Sequence, residues 1–289
     1  MPELPEVETT RRGLAPHLQG QRVETVIVRN RALRWPVPRD LAAKVSGRTV
    51  RAVERRGKYL LIDCGTGWII LHLGMSGSLQ VVPKSVPAGK HDHVDLVLAS
   101  GMVARLTDPR RFGAVLWAPD DPLRHPLLAR LAPEPLGAEF DAAWLHARTR
   151  GRSAAIKTMV MDSHVVAGVG NIYASESLFH AGIHPGLAAG RLSLVRCEKL
   201  VFAIRETLAA AIEAGGSSLR NYVSAEGRPG EFQHTYFVYG RQGELCRLCG
   251  AAIKALRHGQ VGQKNVERCP WRKALMAVPQ RRQSSPCRP

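Results

Sequence analysis

Apolar residues in the first half of the chain recur in short runs that follow one helical segment. Within residues 5–18, Val7, Leu14 and Leu18 recur at near-helical spacing, and Pro5 suits a first helical turn. Glycine, proline or charged residues separate the later runs, which therefore read as short strands joined by turns. The predicted strands are residues 22–28, 49–53, 59–64, 68–73, 78–82, 94–98, 102–106 and 114–117. Such a series predicts a β-sandwich or a barrel.

The second half of the chain has helical periodicity. It follows a stretch rich in proline and glycine, residues 131–137, which we interpret as a linker. The predicted helices are residues 141–148, 154–161, 171–181 and 193–214. Strand-like residues return from Tyr236. The pattern predicts an α+β fold with three parts, which are residues 1–132, 133–235 and 236–289.

The charge of the chain favours a polyanionic partner. Lys and Arg number 41 against 24 Asp and Glu, a formal net charge of +17, and 45% of residues are hydrophobic, enough for a folded core. The positive excess is spread over the whole chain, which favours nucleic acid over a membrane anchor. No apolar run approaches the roughly 18 residues that span a bilayer, the start lacks a signal-peptide pattern, and six cysteines do not suit a disulfide scaffold. We expect a cytoplasmic protein.

The N-terminus carries candidate chemistry. Removal of Met1 is expected because Pro2 is small, and it exposes a secondary amine. An α-amine has a pKa near 8, so a useful fraction is neutral at pH 7 and able to form a Schiff base. Glu3 is placed to protonate a leaving group or a sugar oxygen. On these residues alone, an ordinary helix start with Pro and Glu in the first turn is the better interpretation.

Eight groups of residues together resemble one family. Residues 2–9, read as Pro-Glu-Leu-Pro-Glu-Val-Glu-Thr, closely resemble the opening of the formamidopyrimidine-DNA glycosylases, bacterial enzymes that excise oxidised purines such as 8-oxoguanine. The resemblance continues, in the family's order, through residues 55–60, 72–77, 90–93, 108–113, 168–174 and 239–241, and the pair Cys246 and Cys249. Leu4 is typical of this branch, whereas the endonuclease VIII branch usually has Gly there.

The resemblance implies a DNA glycosylase and abasic-site lyase. Pro2 would attack C1′ of the damaged nucleoside, Glu3 would be the acid/base partner, and Lys58 would act in the β-elimination that cuts the strand. On composition alone, Lys58 is a solvated surface lysine. The implied fold is an N-terminal β-sandwich whose leading helix delivers Pro2 to a cleft, followed by a helical domain with a helix–two-turn–helix. The implied partner is double-stranded DNA, bound by a monomer.

A glycosylase must flip its target nucleotide out of the stack, and a wedge has to fill the gap. By resemblance Met75, Arg110 and Phe112 form this wedge, although Met75 and Phe112 are core residues on composition alone. His91, Arg110 and Asn171 match phosphate-contact positions, and Arg152 is expected to supply a charge that the family places near residue 153. Simple N-capping is the other interpretation of Asn171.

Two further residues and a loop would surround the damaged base. By resemblance, Tyr173 and Glu176 would face it, and residues 217–228 would form a loop that caps it.

The C-terminus departs from the family, which ends in a four-cysteine zinc finger. Cys246 and Cys249 form the first half, and Cys269 is a candidate third ligand, but Arg272 stands where the fourth cysteine is expected. Val261 stands where the family has an arginine that contacts DNA. We expect a degenerate finger with weakened Zn²⁺ binding, and a frameshifted or replaced tail is our hypothesis for its origin. The alternative function is a catalytically weak protein that binds damaged DNA.

Overall fold

In this computed structural model the described residues are 1–217, 225, 227, 230–256 and 266–268. The helices are α1 (Leu4–Leu18), α2 (Leu41–Val45), α3 (Ala142–Thr149), α4 (Ile156–Met161), α5 (Asn171–His180) and α6 (Leu194–Glu213). The strands are β1 (Val23–Val28), β2 (Ala52–Arg56), β3 (Tyr59–Asp63), β4 (Trp68–His72), β5 (Ser78–Pro83), β6 (Asp92–Leu98), β7 (Met102–Thr107), β8 (Ala114–Ala118), β9 (Lys254–Leu256) and β10 (Val266–Arg268).

Two four-stranded antiparallel sheets form the N-terminal part, and they confirm the predicted sandwich. Their strand orders are β1-β6-β7-β5 and β2-β3-β4-β8. Alternate residues of β3 enter different cores: Leu60 and Ile62 pack between the sheets, whereas Leu61 packs on the opposite face with Leu128. Burial on both faces explains why this strand reads as a continuous apolar run.

Helix α1 belongs to two hydrophobic cores. Val7, Leu14 and Leu18 pack into the sandwich core, whereas Leu4 packs into the core of the helical part. Pro5 occupies the first turn, where a missing N–H costs nothing. The first turn of α1 therefore lies at the boundary between the two halves of the molecule.

Helices α3 to α6 confirm the predicted helical domain. Asp141 caps α3 by accepting a hydrogen bond from the Trp144 N–H at 2.7 Å. Helix α5 is almost completely buried, and the loop from α4 enters it through residues 168–170. Gly168 has φ +81°, and a Cβ there would lie 2.7 Å from Leu4. Glycine thus lets this loop pass directly against the start of α1.

Two details differ from the sequence prediction. The strand predicted at residues 49–53 begins at Ala52 instead, because Val50 exchanges backbone hydrogen bonds with Gly20 and Gln21 outside the ladder. Helix α2 was not predicted, since five residues are too few to show a periodic pattern. None of the helices in the described part of the chain is both long and apolar enough to cross a membrane.

The predicted linker is held on both sides. Arg56 donates hydrogen bonds to two carbonyl oxygens in the segment, at Leu131 (2.9 Å) and Ala132 (2.6 Å). Arg205 of α6 donates to the carbonyl oxygens of Pro135 and Gly137. Residues 131–137 are therefore a clamped connection rather than a loose one.

Candidate active site

The Glu3 carboxylate lies against the N-terminus of α5. It is 2% exposed and accepts hydrogen bonds from the backbone N–H groups of Gly170 (2.7 Å) and Ile172 (3.0 Å), with Tyr173 N at 3.5 Å. Unpaired N–H groups and the helix dipole make such an end a favourable anion site. Pro2, which precedes Glu3, is buried as well. The N-terminal residues are thus fixed in place by residues almost 170 positions away.

A second carboxylate, that of Glu6, lies directly beside Glu3. Its Oε2 accepts the Glu3 N–H at 2.7 Å, and its Oε1 accepts from the Ser217 N–H at 2.8 Å and from the Tyr173 hydroxyl. The Tyr173 hydroxyl also lies 3.1 Å from the Ser217 Oγ. Burial, and then the charge of Glu3, raise the pKa of Glu6 to about 6.

Lys58 lies in the turn between β2 and β3 and is the third charged residue of the group that Glu3 and Glu6 begin. Gly57 makes this turn with φ +58°. Burial lowers the pKa of the Lys58 ammonium group, while the charges of Glu3 and Glu6 oppose that shift. Lys58 therefore lies within electrostatic range of Glu3 and Glu6, next to the start of α1, and the catalytic roles of Pro2, Glu3 and Lys58 stay a prediction.

His72 borders this group on β4. Its ring centroid lies 4.8 Å from that of Tyr59, and its Nδ1 accepts the Gly74 N–H at 3.0 Å. Burial, followed by the positive charges of Lys58 and Arg34, lowers the pKa of His72 to about 4. His72 is consequently neutral at physiological pH.

The predicted wedge residues lie on two adjoining loops. A Cβ at Gly74 would lie 2.5 Å from the backbone of residues 112 and 113, so the loop that carries Met75 touches the loop that carries Arg110 and Phe112. Phe112 is 41% exposed, and the Arg110 guanidinium lies 4.8 Å from the centroid of its ring. A core position is therefore wrong for Phe112, whereas Met75 is half-buried.

The residues predicted to contact phosphates occupy different environments. His91, Arg110 and Arg152 are exposed, and Asn171 is half-buried in the first turn of α5. N-capping by Asn171 is wrong, because the cap position is Gly170, and the Glu3 carboxylate accepts the N–H groups of Gly170 and Ile172 instead.

Tyr173 and Glu176 do not face the place predicted for the damaged base. The Glu176 carboxylate accepts hydrogen bonds from the backbone N–H groups of residues 237 (2.9 Å), 238 (3.0 Å) and 239 (2.8 Å), and so anchors the start of the C-terminal region to α5. Tyr173 is fully buried, with its hydroxyl directed at Glu6. Of the predicted capping loop, residues 218–224, 226 and 228 lie outside the described residues.

The cysteines of the predicted finger are described only in part. Cys246 is buried and Cys249 half-buried, in a turn where the Gly250 N–H donates to the Cys246 carbonyl oxygen at 2.9 Å. Cys269 lies outside the described residues. Within the described ranges, no cluster of three or more His, Cys, Asp or Glu side chains is placed to hold a metal ion. Two thiols are fewer than the four ligands of structural zinc, so these residues do not by themselves fit the metal.

Sequence reasoning did not identify Glu6. A signal for it exists: Glu3 and Glu6 are three positions apart at the start of a helix, the spacing of a capping box, and the structure has both reciprocal bonds. That pattern predicts that each carboxylate accepts the backbone N–H of the other residue. The folded chain then buries both.

Comparisons with known proteins agree with the resemblance in the sequence. A model of the formamidopyrimidine-DNA glycosylase N-terminal domain matches residues 1–115, and a model of the H2TH domain of the same enzymes matches residues 131–223. The formamidopyrimidine-DNA glycosylase of Stutzerimonas stutzeri is 57% identical over 269 residues, covering 93% of this chain and 99% of the relative. The enzyme of the same name from Cupriavidus pinatubonensis is 56% identical over 273 residues, covering 90% and 96%.

Solved structures extend the likeness to the fold. The crystal structure of the MutM (Fpg) protein from Thermus thermophilus is 37% identical, with a TM-score of 0.84, and the match covers 94% of this chain and 98% of that one. A Lactococcus lactis Fpg mutant bound to Fapy-dG-containing DNA is 33% identical, with a TM-score of 0.86 and coverage of 94% and 99%. Lactococcus lactis Fpg with abasic-site DNA is 34% identical, with a TM-score of 0.85 and coverage of 93% and 98%.

Proposed function

Because the chain belongs to the formamidopyrimidine-DNA glycosylase family, we propose that it excises oxidised purines from double-stranded DNA and then cuts the strand at the abasic site. It is a base-excision repair enzyme of the DNA glycosylase class. The names of its relatives, and the Fapy-dG and abasic-site DNA bound to Lactococcus lactis Fpg, support 8-oxoguanine and formamidopyrimidines as substrates.

The observation that best supports this function is the Glu3 carboxylate in its cradle of backbone N–H groups, with the Lys58 ammonium nearby. Backbone donors fix the position of the carboxylate without the entropy cost of ordering further side chains. An acid/base group held this rigidly beside a buried N-terminal proline has the arrangement that amine catalysis at a sugar carbon requires.

The proposed reaction begins once Met1 has been removed. The Pro2 nitrogen attacks C1′, the N-glycosidic bond breaks, and its electron pair leaves with the base. The Pro2 nitrogen, now an ammonium group, passes its proton to the Glu3 carboxylate, and Glu3 donates that proton to the sugar ring oxygen, so the ring opens to an iminium that links Pro2 to C1′. Loss of a proton from C2′ then expels the 3′ phosphate, a β-elimination in which Lys58 takes part. Hydrolysis of the Schiff base frees Pro2.

The surrounding residues bind the DNA in this proposal. Phe112 and Met75 enter the stack from their adjoining loops, while Arg110 donates hydrogen bonds to the orphaned base. His91, Arg152 and Asn171 contact phosphates, Asn171 at the N-terminus of α5.

Further proposals concern organisation and the metal. We place the domain boundaries after residues 132 and 235, expect the protein to act as a monomer, and expect it in the bacterial cytoplasm because its substrate is chromosomal DNA. Family membership is consistent with a structural zinc. Here we propose Cys246, Cys249 and Cys269 as its ligands, with a weakened hold because Arg272 stands at the fourth position. No step of the reaction uses the metal.

Borohydride trapping on a duplex with 8-oxoguanine opposite cytosine tests the function. Wild type is compared with Pro2→Gly and Glu3→Gln, because borohydride reduces the Schiff base to a stable covalent link. We expect a trapped wild-type complex that is lost or much reduced in Glu3→Gln. Trapping on a pre-formed abasic site alone would place the defect in base recognition or flipping. A wild-type protein that traps on neither duplex would refute the enzyme and favour the catalytically weak DNA-binding protein.

A further inference from the structure

One residue of α5 contacts both buried carboxylates. The Tyr173 backbone N lies 3.5 Å from Glu3 Oε2, and the Tyr173 hydroxyl donates to Glu6 Oε1. The same hydroxyl lies 3.1 Å from the Ser217 Oγ. Tyr173 is 0% exposed, so water does not compete for these bonds. A single residue thus connects all three: its backbone N approaches Glu3, whereas its hydroxyl connects Glu6 with Ser217, where the predicted capping loop begins.

The donors around Glu6 show which of its protonation states this geometry suits. Oε2 accepts the Glu3 N–H, and Oε1 accepts the Ser217 N–H as well as the Tyr173 hydroxyl. An ionised carboxylate accepts all three bonds. Protonation at Oε1 removes acceptor capacity there, and the Tyr173 hydroxyl then has to turn toward Ser217. The hydrogen bonds that surround Glu6, including the one from the Glu3 N–H, are therefore those of its ionised form.

Steric constraint keeps Glu6 in this position. Gly216 has φ +80°, and a Cβ there would lie 3.0 Å from Glu6 Oε1 and 3.3 Å from its Cα. The chain after α6 therefore closes tightly over the carboxylate, which has no space to rotate away from the Tyr173 hydroxyl. Several groups act on Glu6 from the elements packed around it, which are Glu3 of the first turn, Lys58 of the β2–β3 turn, Tyr173 of α5, and Ser217 and Tyr236 beyond α6.

We propose that Tyr173 is a positioning residue for base excision: by holding Glu6 as a carboxylate it keeps Glu3 and the start of the capping loop in their working arrangement. This inference rests on the proposed glycosylase function. The Tyr173 hydroxyl opposes the rise in the pKa of Glu6 that burial and Glu3 cause, so its loss raises that pKa further. Removing one hydrogen bond to a charged group corresponds to a shift of about one pH unit.

The test compares Tyr173→Phe with wild type in single-turnover excision of 8-oxoguanine between pH 5 and pH 9. The quantity to follow is the ratio of the two rates, because titration of the Pro2 amine and of every other shared group cancels from it. With Glu6 titrating near pH 6 in wild type and about one unit higher in the variant, the ratio is nearly constant above pH 8 and falls about tenfold by pH 5. Glu6→Gln cannot titrate at residue 6, so its plot of excision rate against pH lacks the fall near pH 6 that wild type is expected to show.

Tyr59→Phe is the control. Tyr59 is a half-buried tyrosine of β3 whose ring packs against His72, and among the described residues its hydroxyl makes no hydrogen bond to Glu6 or Ser217. Its rate ratio to wild type is expected to stay flat with pH. A flat ratio for folded Tyr173→Phe would overturn the proposal. If Tyr173→Phe does not fold, Ser217→Ala replaces it: its ratio is expected to fall in the same direction by a smaller factor, and a flat ratio there overturns the proposal equally. Wild-type borohydride trapping in the same preparation tests the glycosylase function separately.

Discussion

Replacement of Gly170 by alanine tests whether the position of the Glu3 carboxylate matters for base excision. Gly170 has φ −127° and ψ −155°, an extended conformation that alanine adopts without strain. A Cβ at this position would nevertheless lie 2.3 Å from the Glu3 carboxyl carbon and 2.5 Å from its Oε1. The substitution is therefore a local displacement of one functional group, with no change of charge.

The magnitude follows from these distances. Ordinary contact with a Cβ begins near 3.4 Å, so the carboxyl carbon has to move by about 1 Å. That movement breaks the 2.7 Å bond from the Gly170 N–H and disturbs the 3.0 Å bond from Ile172. A misplacement of about 1 Å at a reacting group lowers a rate by about 10²-fold, and we expect a loss of this order in 8-oxoguanine excision.

The assay is single-turnover release of 8-oxoguanine from a duplex, followed by trapping on a pre-formed abasic site. We expect the abasic-site reaction to fall less, because an open-chain aldehyde already accepts the amine without protonation of the ring oxygen. Gly89→Ala is the control, since its Cβ would meet only Asp92 Oδ2 at an ordinary 3.6 Å, and we expect its rate to remain within about twofold of wild type. Folded Gly170→Ala protein that excises the base at the wild-type rate would refute the role assigned to the cradle.

Four further outcomes are expected. Lys58→Met should slow strand cleavage at abasic sites about 10²-fold through loss of its acid/base role, as followed by gel; unchanged cleavage would remove Lys58 from the elimination. Glu6→Gln should gain stability over wild type as pH rises from 4.5 to 6, by about 1.3 kcal/mol, because a buried acid with a raised pKa contributes stability that is lost as it ionises; an unchanged difference between the two urea-unfolding curves at both pH values would contradict this. Binding to duplex DNA should weaken with salt at a log–log slope of about −5 for roughly six neutralised phosphates, and a slope near zero would argue against a phosphate interface. Purified protein dialysed against chelator should hold less than one zinc per chain by elemental analysis, whereas one tightly bound ion per chain would show that the finger is complete.

The fold was largely predictable because its signals are local. Strands β4 and β8 lie within one residue of their predicted bounds, since apolar runs such as residues 68–71 are followed closely by turns. Helix α6 lies within one residue at each end, because Ser193 caps its start and Gly215 follows its end. The predicted strand bounds were wrong where a distant segment competes for the backbone hydrogen bonds, as at Val50, whose partners lie about 30 positions earlier.

The sequence nominates residues for the candidate site, whose roles stay a prediction, but it does not reveal their contacts. Pro2, Glu3 and Lys58 follow from motifs, whereas the burial of Glu6 depends on Tyr173 and residues 216–217, which no local pattern connects to residue 6. Glu176 shows the opposite error. A carboxylate on a helix near the site was assigned to the damaged base, but three backbone N–H groups of the following segment bind it. Long-range backbone donors leave no trace in the side-chain pattern.

The shared membership of α1 in two cores has a consequence for synthesis on the ribosome. Leu4 packs among side chains as late in the chain as Phe232 and Tyr236, and Glu6 binds the Ser217 N–H, so the first residues translated have their partners near the other end. A nascent chain therefore cannot assemble the catalytic end before most of translation is complete. The proposed nucleophile is therefore among the first residues to be made and among the last to reach its folded surroundings.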